Sequence, residues 1–282
     1  MKENLCLHSC KVYFCGMDRL VSVLYFLQHR MRCIPYSQVH SPFLFSLIQE
    51  VLQDKRQYYL FDRLQQERQI LLTDKHLLEI EDHGAGSRTS GFQRNRSVSS
   101  IARQAVISPA QGAMLFRLVR WGGYHRILEL GTSLGLSAAY MAGAGSKVTV
   151  DTIEGSPAIA KEALSLWQKT GISNISLHTG TFDEQLPELL NKPSIVFDLV
   201  YIDGNHRLEP TLRYVDMITP YLSEKSVVVL DDIHWSKEMH QAWQILQSNQ
   251  SFCYSVDLFY KGLLFREPGL QVHQSASFCI PH

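Results

Sequence analysis

The spacing of apolar positions divides the chain into a helical front and an alternating strand–helix body. Residues 18–31 place Leu20, Val21, Leu24, Tyr25 and Leu27 at helical intervals, and Ile34-Pro35 ends that helix. Ser41-Pro42 reads as an N-cap followed by a first-turn proline. Phe43, Leu44, Leu47, Ile48, Val51 and Leu52 then repeat with the helical period. A further helix is predicted through the Gln-, Arg- and Glu-rich stretch from Tyr58 to Leu72, and short ones over Val98–Ala105 and from Ser108-Pro109 to Trp121.

After Gly122-Gly123 the period changes. Ile127, Leu128 and Leu130 form a strand, and Leu136–Ala142 starts a helix. Strands over Lys147–Ile153, Ile175–His178, Phe197–Ile202 and Ser226–Leu230 then alternate with helices over Pro157–Thr170, Phe182–Leu190, Leu208–Leu222 and Lys237–Ser248. Cys253–Phe259 and Lys261–Phe265 read as a closing antiparallel hairpin. This order predicts an α/β fold, a Rossmann-like, doubly wound and mostly parallel sheet with a helical N-terminal extension.

The pattern gives four segments. Residues 1–17 carry little pattern and are expected to be disordered, with Met17 as an alternative start; 18–106 form the helical extension; 107–270 form the α/β domain; 271–282 form a frayed tail. Within the extension, residues 81–100 are rich in Gly, Ser and Arg, so they read as a loop, either a solvated linker or a lid over a substrate. The N-terminal helices suit a homodimer contact, a lid, or both.

Composition narrows the function classes. Lys plus Arg equals Asp plus Glu at 27 each, which removes any global electrostatic reason to expect nucleic acid. No run approaches the roughly 20 apolar residues of a membrane span, and the N-terminus lacks a signal-peptide pattern. A cytoplasmic location is expected. The six cysteines include no C-x-x-C pair, so reduced thiols are the plain expectation, ahead of a zinc site at Cys6, Cys10 and Cys15.

The chemistry collects at predicted strand ends. Gly131 and Gly135 flank a turn between a strand and a helix N-terminus, a geometry that lets backbone approach a ligand. Ser133 stands where a dinucleotide fingerprint has its second glycine, and Glu129 adds a carboxylate. Both disfavour a pyrophosphate and suit a cation such as a sulfonium bearing an amino group. Glu154, at the next strand end, is placed to take two ribose hydroxyls, or else is a surface acid at a helix start. Asp203, Asp231 and Asp232 end two further strands. Carboxylates brought together repel unless a cation sits among them, and oxygen ligands suit a magnesium-type ion. The alternative is that Asp231 or Asp232 caps the following helix. His206 and His234 follow these acids, and His206 is the first candidate for a general base.

Taken together, Leu128-Glu-Leu-Gly-Thr-Ser-Leu-Gly-Leu-Ser-Ala138, Glu154, Thr179-Gly-Thr-Phe182, Asp203-Gly-Asn-His206 and Asp231-Asp232 resemble the motifs of class I S-adenosylmethionine-dependent methyltransferases. The chain is similar to cation-dependent O-methyltransferases of the catechol and caffeoyl-CoA type, and to macrolide sugar O-methyltransferases, over about Ile107–Phe265. The resemblance implies cofactor contacts from Glu129, Gly131, Thr132, Ser133, Ser137, Glu154, Gly180, Thr181 and Asp203. It also implies metal ligation by Asp203, Asp231 and Asp232, and catalytic roles for His206 and Asp203. Asp232 departs from the asparagine usual in the caffeoyl-CoA type. The implied activity is metal-assisted O-methylation of a small-molecule hydroxyl. Metal-independent N- or carboxyl-methylation and a non-catalytic cofactor-binding or assembly module are the alternatives.

Overall fold

A computed structural model describes residues 18–80, 95–268 and 274–279. The chain begins with α1 (Asp18–Arg32), α2 (Pro42–Leu47) running into a wider turn at Ile48–Leu52, and α3 (Tyr59–Thr73). A small antiparallel pair, β1 (Leu77–Glu79) and β2 (Asn95–Ser97), leads to α4 (Val98–Ala105) and α5 (Pro109–Gly122). The α/β body follows as β3 (Arg126–Leu130), α6 (Leu136–Ala142), β4 (Thr149–Glu154), α7 (Pro157–Thr170), β5 (Ile175–Thr179), α8 (Phe182–Leu190), β6 (Phe197–Ile202), α9 (Leu208–Ile218), β7 (Leu222–Asp231) and α10 (Lys237–Gln247). It closes with β8 (Tyr254–Asp257), β9 (Lys261–Arg266) and β10 (Gln274–Ser277).

Eight strands form one sheet in the order β10-β8-β9-β7-β6-β3-β4-β5. From β7 to β5 every pairing is parallel. β9 runs antiparallel to both β7 and β8. The strand order reverses at β3, between β4 on one side and β6 on the other, and this reversal is where open α/β sheets place their ligands. This is the Rossmann-like doubly wound sheet expected from the periodicity.

Alternation along each strand feeds two cores. Ile127, Leu199, Tyr201, Val227 and Val229 pack beneath α5, α6 and the N-terminal helices. Leu128, Leu130, Val200, Ile202, Val228 and Leu230 pack against α8, α9 and α10. The N-terminal helices bury much of their apolar surface in the core of this chain, with α3 packed on α4, α5, α6 and α7: Leu44, Leu47, Ile48, Val51, Phe61 and Leu64 are buried. Phe43 stacks on Tyr254 and meets Trp121 and Phe265 edge-on. Among the described residues, no helix is long and apolar enough to cross a membrane.

Local signals behave as their chemistry dictates. Ser41 and Ser108 cap their helices ahead of first-turn prolines, with Gln111 completing a capping box at Ser108. The helix expected to reach Leu222 stops at Ile218, because Pro220 turns the chain and β7 starts at Leu222. The expected frayed tail is in part a strand. Gln274–Ser277 pairs in parallel with β8, supplying hydrogen-bond partners to an edge that the hairpin leaves open. Residues 1–17 and most of the predicted lid, 81–94, lie outside the described residues. The end of that lid, 95–100, is β2 and the start of α4.

Candidate active site

The carboxyl ends of β5, β4, β3, β6 and β7 form one rim, and backbone bonds tie them in sequence. Gly180 N donates to Glu154 O at 2.9 Å, Gly131 N to Ile153 O at 3.1 Å, and Asp203 N to Leu130 O at 2.8 Å. The turn after β3 is forced by its neighbours. Gly131 has φ +104°, and a Cβ there would lie 2.1 Å from the Asp203 carbonyl oxygen. Gly135, at φ +82°, opens α6, and its carbonyl accepts the Trp167 indole N–H at 2.8 Å. Gly131→Ala is therefore expected to lower the unfolding free energy by about 2–4 kcal/mol. Urea denaturation measures this, and an unchanged midpoint would refute the close approach.

Glu129 lies fully buried at this turn. Thr152 Oγ1 donates to its Oε2 at 2.6 Å, and Thr132 donates in turn to Thr152 at 2.6 Å, since Thr152 has only one proton to give. Its other oxygen, Oε1, has no partner, and neither has the buried Ser133 hydroxyl. Burial pushes the Glu129 carboxyl up to about 8. Bonds from Ser137 and Thr152 oppose that rise, while the charges of Asp203 and Glu154 add to it. Those two influences show that the acids of three strand ends share one field.

Glu154 turns inward to the same turn. Its Oε2 accepts Ser133 N at 2.8 Å and its Oε1 accepts Ser156 N at 3.0 Å. Burial raises its pKa, and these backbone donors hold the rise back. Next to it, Gly180 has φ +146°, and Thr181 caps α8 in a box with Glu184. Ser133 itself has a left-handed backbone, φ +47°, which directs its N–H at Glu154.

Across the switch point, Asp203 and Asp231 meet through one phenol. Tyr201 Oη lies 3.2 Å from Asp203 Oδ2 and hydrogen-bonds Asp231 Oδ2. The Lys261 ammonium, buried with the side chain 2% exposed, pairs with the same Asp231 oxygen, donates to Tyr201 Oη at 3.0 Å and lies 4.9 Å from the Tyr201 ring centre. Burial acts to raise the Asp231 carboxyl. The Lys261 charge, hydrogen bonds from Lys261 and Tyr201 and the His206 charge together outweigh it and hold Asp231 below the ordinary range. Asp203 is raised to about 7 by burial and by the Asp231 charge, and Asp232 to about 6 by the same two causes.

The three expected metal ligands thus share one field, with Asp203 and Asp232 both raised by the Asp231 charge. Among the described residues, the groups of three or more whose ligand atoms lie within 4.8 Å of one another are His29–Cys33–Cys279 and His29–His234–Asp257, and Asp203, Asp231 and Asp232 are in neither. Lys261 sets one positive charge against Asp231. Asp232, at φ +53°, donates its N–H to Asp231 Oδ1 at 3.0 Å, and its carbonyl accepts the Trp235 N–H at 2.9 Å.

His206 Nε2 lies 3.6 Å from Asp203 Oδ1, within ion-pair reach but beyond a good hydrogen bond. Asn205 and His206 have φ of +63° and +26°, two consecutive left-handed residues without glycine. Such strain persists only where surrounding structure enforces it, often at functional sites. His234 is not on this rim: it bonds Asp257 at 3.0 Å and His240 at 2.8 Å.

Lys261 and Tyr201 were not singled out from the sequence. Lys261 had a signal, as the one charged residue opening the otherwise apolar strand Gly262–Phe265, and antiparallel pairing sets it opposite Asp231.

Comparison with known proteins agrees with this geometry. A family described as a methyltransferase domain matches residues 128–233, from β3 to just past β7. The chain is 30% identical over 129 residues to a catechol O-methyltransferase of Niastella koreensis, covering 45% of this chain and 58% of that relative. It thus spans somewhat more than half the length of this curated relative. Among solved structures, it resembles an O-methyltransferase from Bacillus cereus in complex with SAH, at 17% identity and TM-score 0.54, covering 79% of this chain and 96% of that one. It also resembles the O-methyltransferase TomG from Streptomyces achromogenes in complex with SAM, at 19% identity and TM-score 0.52, with the same coverage. At these identities the structural likeness speaks to fold. The chain thus carries a match to a methyltransferase domain over residues 128–233 and shares its fold with these O-methyltransferases.

Proposed function

We propose that this chain transfers a methyl group from S-adenosylmethionine to a hydroxyl oxygen of a small molecule. The observation that carries the reading is Glu129: a fully buried carboxyl beside a glycine turn, with one oxygen unpartnered and a second orphan, Ser133 Oγ, close by in the chain. Buried polar atoms without partners are costly, so a site that keeps them suits a ligand that satisfies them. The donor set fits this cofactor. Glu129 Oε1 accepts from an ammonium group. Each Glu154 oxygen, having taken one backbone N–H, keeps a lone pair for a ribose hydroxyl. The turn at Gly180-Thr181 adjoins Glu154 where an adenine would lie.

When bound, the cofactor supplies an electrophilic methyl group on a sulfonium. The protein's own residues do the rest. His206, 25% exposed at the rim, takes the proton of the acceptor hydroxyl at Nε2, and the adjacent Asp203 carboxylate stabilises the imidazolium that forms. No step is assigned to the divalent cation expected from the sequence.

Calorimetry with S-adenosylhomocysteine, followed by an acceptor screen of hydroxylated small molecules starting with catechols, tests the proposal. The wild-type chain should bind the product cofactor, and Glu129→Gln should bind it far more weakly. His206→Ala should keep that affinity while losing about 10²–10⁴-fold in turnover. A folded wild type that ignores the cofactor, or full turnover in His206→Ala, would overturn it.

A further inference from the structure

Away from the rim, the end of α1 meets β10 and the loop after β8 in a cluster the methyl-transfer reading does not use. Cys33 N donates to His29 O at 2.9 Å, so the helical path continues and sets His29 and Cys33 one turn apart on one face. Ile34 N bonds Ser277 O at 2.9 Å and Tyr36 Oη bonds Cys279 O at 3.2 Å, which fastens the final strand to that helix end. Cys33 and Cys279 are joined as a disulfide across 246 residues of sequence, where reduced thiols were expected. A ring nitrogen of His29 and the two sulfurs lie within 4.8 Å of one another.

We propose that His29, Cys33 and Cys279 are the ligands of a zinc site that exists when the Cys33–Cys279 disulfide is reduced. The argument begins with Asp257. Its Oδ1 accepts His29 Nδ1 at 3.1 Å and Phe259 N at 2.8 Å; its Oδ2 accepts His234 Nε2 and Trp243 Nε1, each at 3.0 Å. Four donors fill a carboxylate's lone pairs, so Asp257 has no capacity to bind a metal itself. It does what a carboxylate behind a metal-bound histidine does: it holds Nδ1 as a protonated nitrogen and leaves Nε2 as the one a metal can take. At present Nε2 donates to Phe278 O at 3.3 Å, and a metal would take the place of that proton.

The histidines beyond are committed elsewhere. Gln244 Nε2 donates to His240 Nε2, His240 Nδ1 to His234 Nδ1, and His234 Nε2 to Asp257, one consistent set of neutral tautomers. That leaves His29 as the imidazole available to a metal. One imidazole and two thiolates select a borderline-soft ion, and the thiolates cancel a 2+ charge in a half-buried place. The tetrahedron's fourth position is left to water or a further donor.

The redox step balances with a dithiol reductant. Two electrons and two protons pass from the dithiol to the Cys33–Cys279 bond, giving two thiols and an oxidised dithiol; zinc then displaces two thiol protons. Oxidation reverses this and releases zinc, so disulfide and metal exclude each other.

The site is independent of the methyl-transfer reading and is tested without activity. The full chain is reduced with a phosphine, stripped with chelator, and titrated with Zn²⁺ against a chromophoric chelator and with Co²⁺ by absorption. Reduced wild type should bind one zinc tightly and give thiolate-to-cobalt charge-transfer bands; the oxidised chain should show neither. Cys279→Ser and His29→Ala should lose the tight site, Asp257→Asn should weaken it about 10–100-fold, and Cys253→Ser should keep it. A variant with Cys6, Cys10 and Cys15 all changed to Ser should also keep it. Equal zinc affinity in reduced and oxidised wild type, no zinc on the reduced folded chain, or loss of the site in the Cys6/Cys10/Cys15 variant would overturn the proposal.

Discussion

Glu129→Gln should stabilise the cofactor-free protein increasingly as pH rises, by up to about 5 kcal/mol relative to wild type between pH 4.5 and 8. The folded carboxyl is raised from 4.5 to about 8 by burial, so the folded chain holds this proton more tightly than the unfolded chain does. The stability tied to that proton is therefore fully present below pH 4.5. It declines as the unfolded chain deprotonates, and is gone once pH passes 8. Glutamine has no such proton. Asp203 and Asp232, raised to about 7 and 6, slope the same way, but they are common to both proteins and largely cancel in the difference. Urea denaturation of both proteins at pH 5 and pH 8.5 measures the gap, and parallel pH curves would refute the assignment. The cofactor reverses the preference. An ammonium group against Oε1 favours the carboxylate, so binding near pH 7 should expel a proton from Glu129, seen by calorimetry in buffers of different ionisation enthalpy. The same residue that lowers stability when the site is open then becomes its anchor.

The sheet was legible because apolar alternation and glycine punctuation are local signals. From Arg126 to Gln247 every strand and helix falls within a few residues of its expected place, and the acids at the strand ends follow directly. What escaped depends on contacts between distant segments. β10 is a polar stretch, Gln-Ser-Ala-Ser, that becomes a strand only because β8 presents an open edge. Leu77–Glu79 and Asn95–Ser97 are three-residue strands with no periodicity of their own, and exist as a pair. The site shows the same division. Glu129, Glu154, Asp203 and His206 are announced by position after a strand, and the structure sets them along one rim. The ammonium paired with Asp231 comes from a hairpin 30 residues away, so a local reading of the three acids does not find it.

Lys261→Met should cost about 3–5 kcal/mol, the price of leaving Asp231 buried without its ion partner. The Lys261 side chain is 2% exposed and that of Asp231 13%, so water does little to replace the lost ammonium. Tyr201 can offer its single proton to Asp231 or Asp203 but not to both, and burial and the neighbouring acids push that phenol well above its ordinary range, so it stays neutral. The double variant Asp231→Asn/Lys261→Met removes both charges and should recover most of the loss, because the penalty lies in the unpaired carboxylate rather than in the missing methylenes. The single variant carries a second expectation. With the ammonium gone, the Asp231 oxygen it occupied is released beside Asp203 and Asp232, and a hard divalent ion becomes the natural replacement. Mg²⁺ should then raise the melting temperature of Lys261→Met and leave that of wild type unchanged, and chelator should leave wild-type cofactor binding intact. A wild type that is itself stabilised by Mg²⁺, or a Lys261→Met loss below about 1 kcal/mol, would show that the ammonium is not the cation this rim is built around.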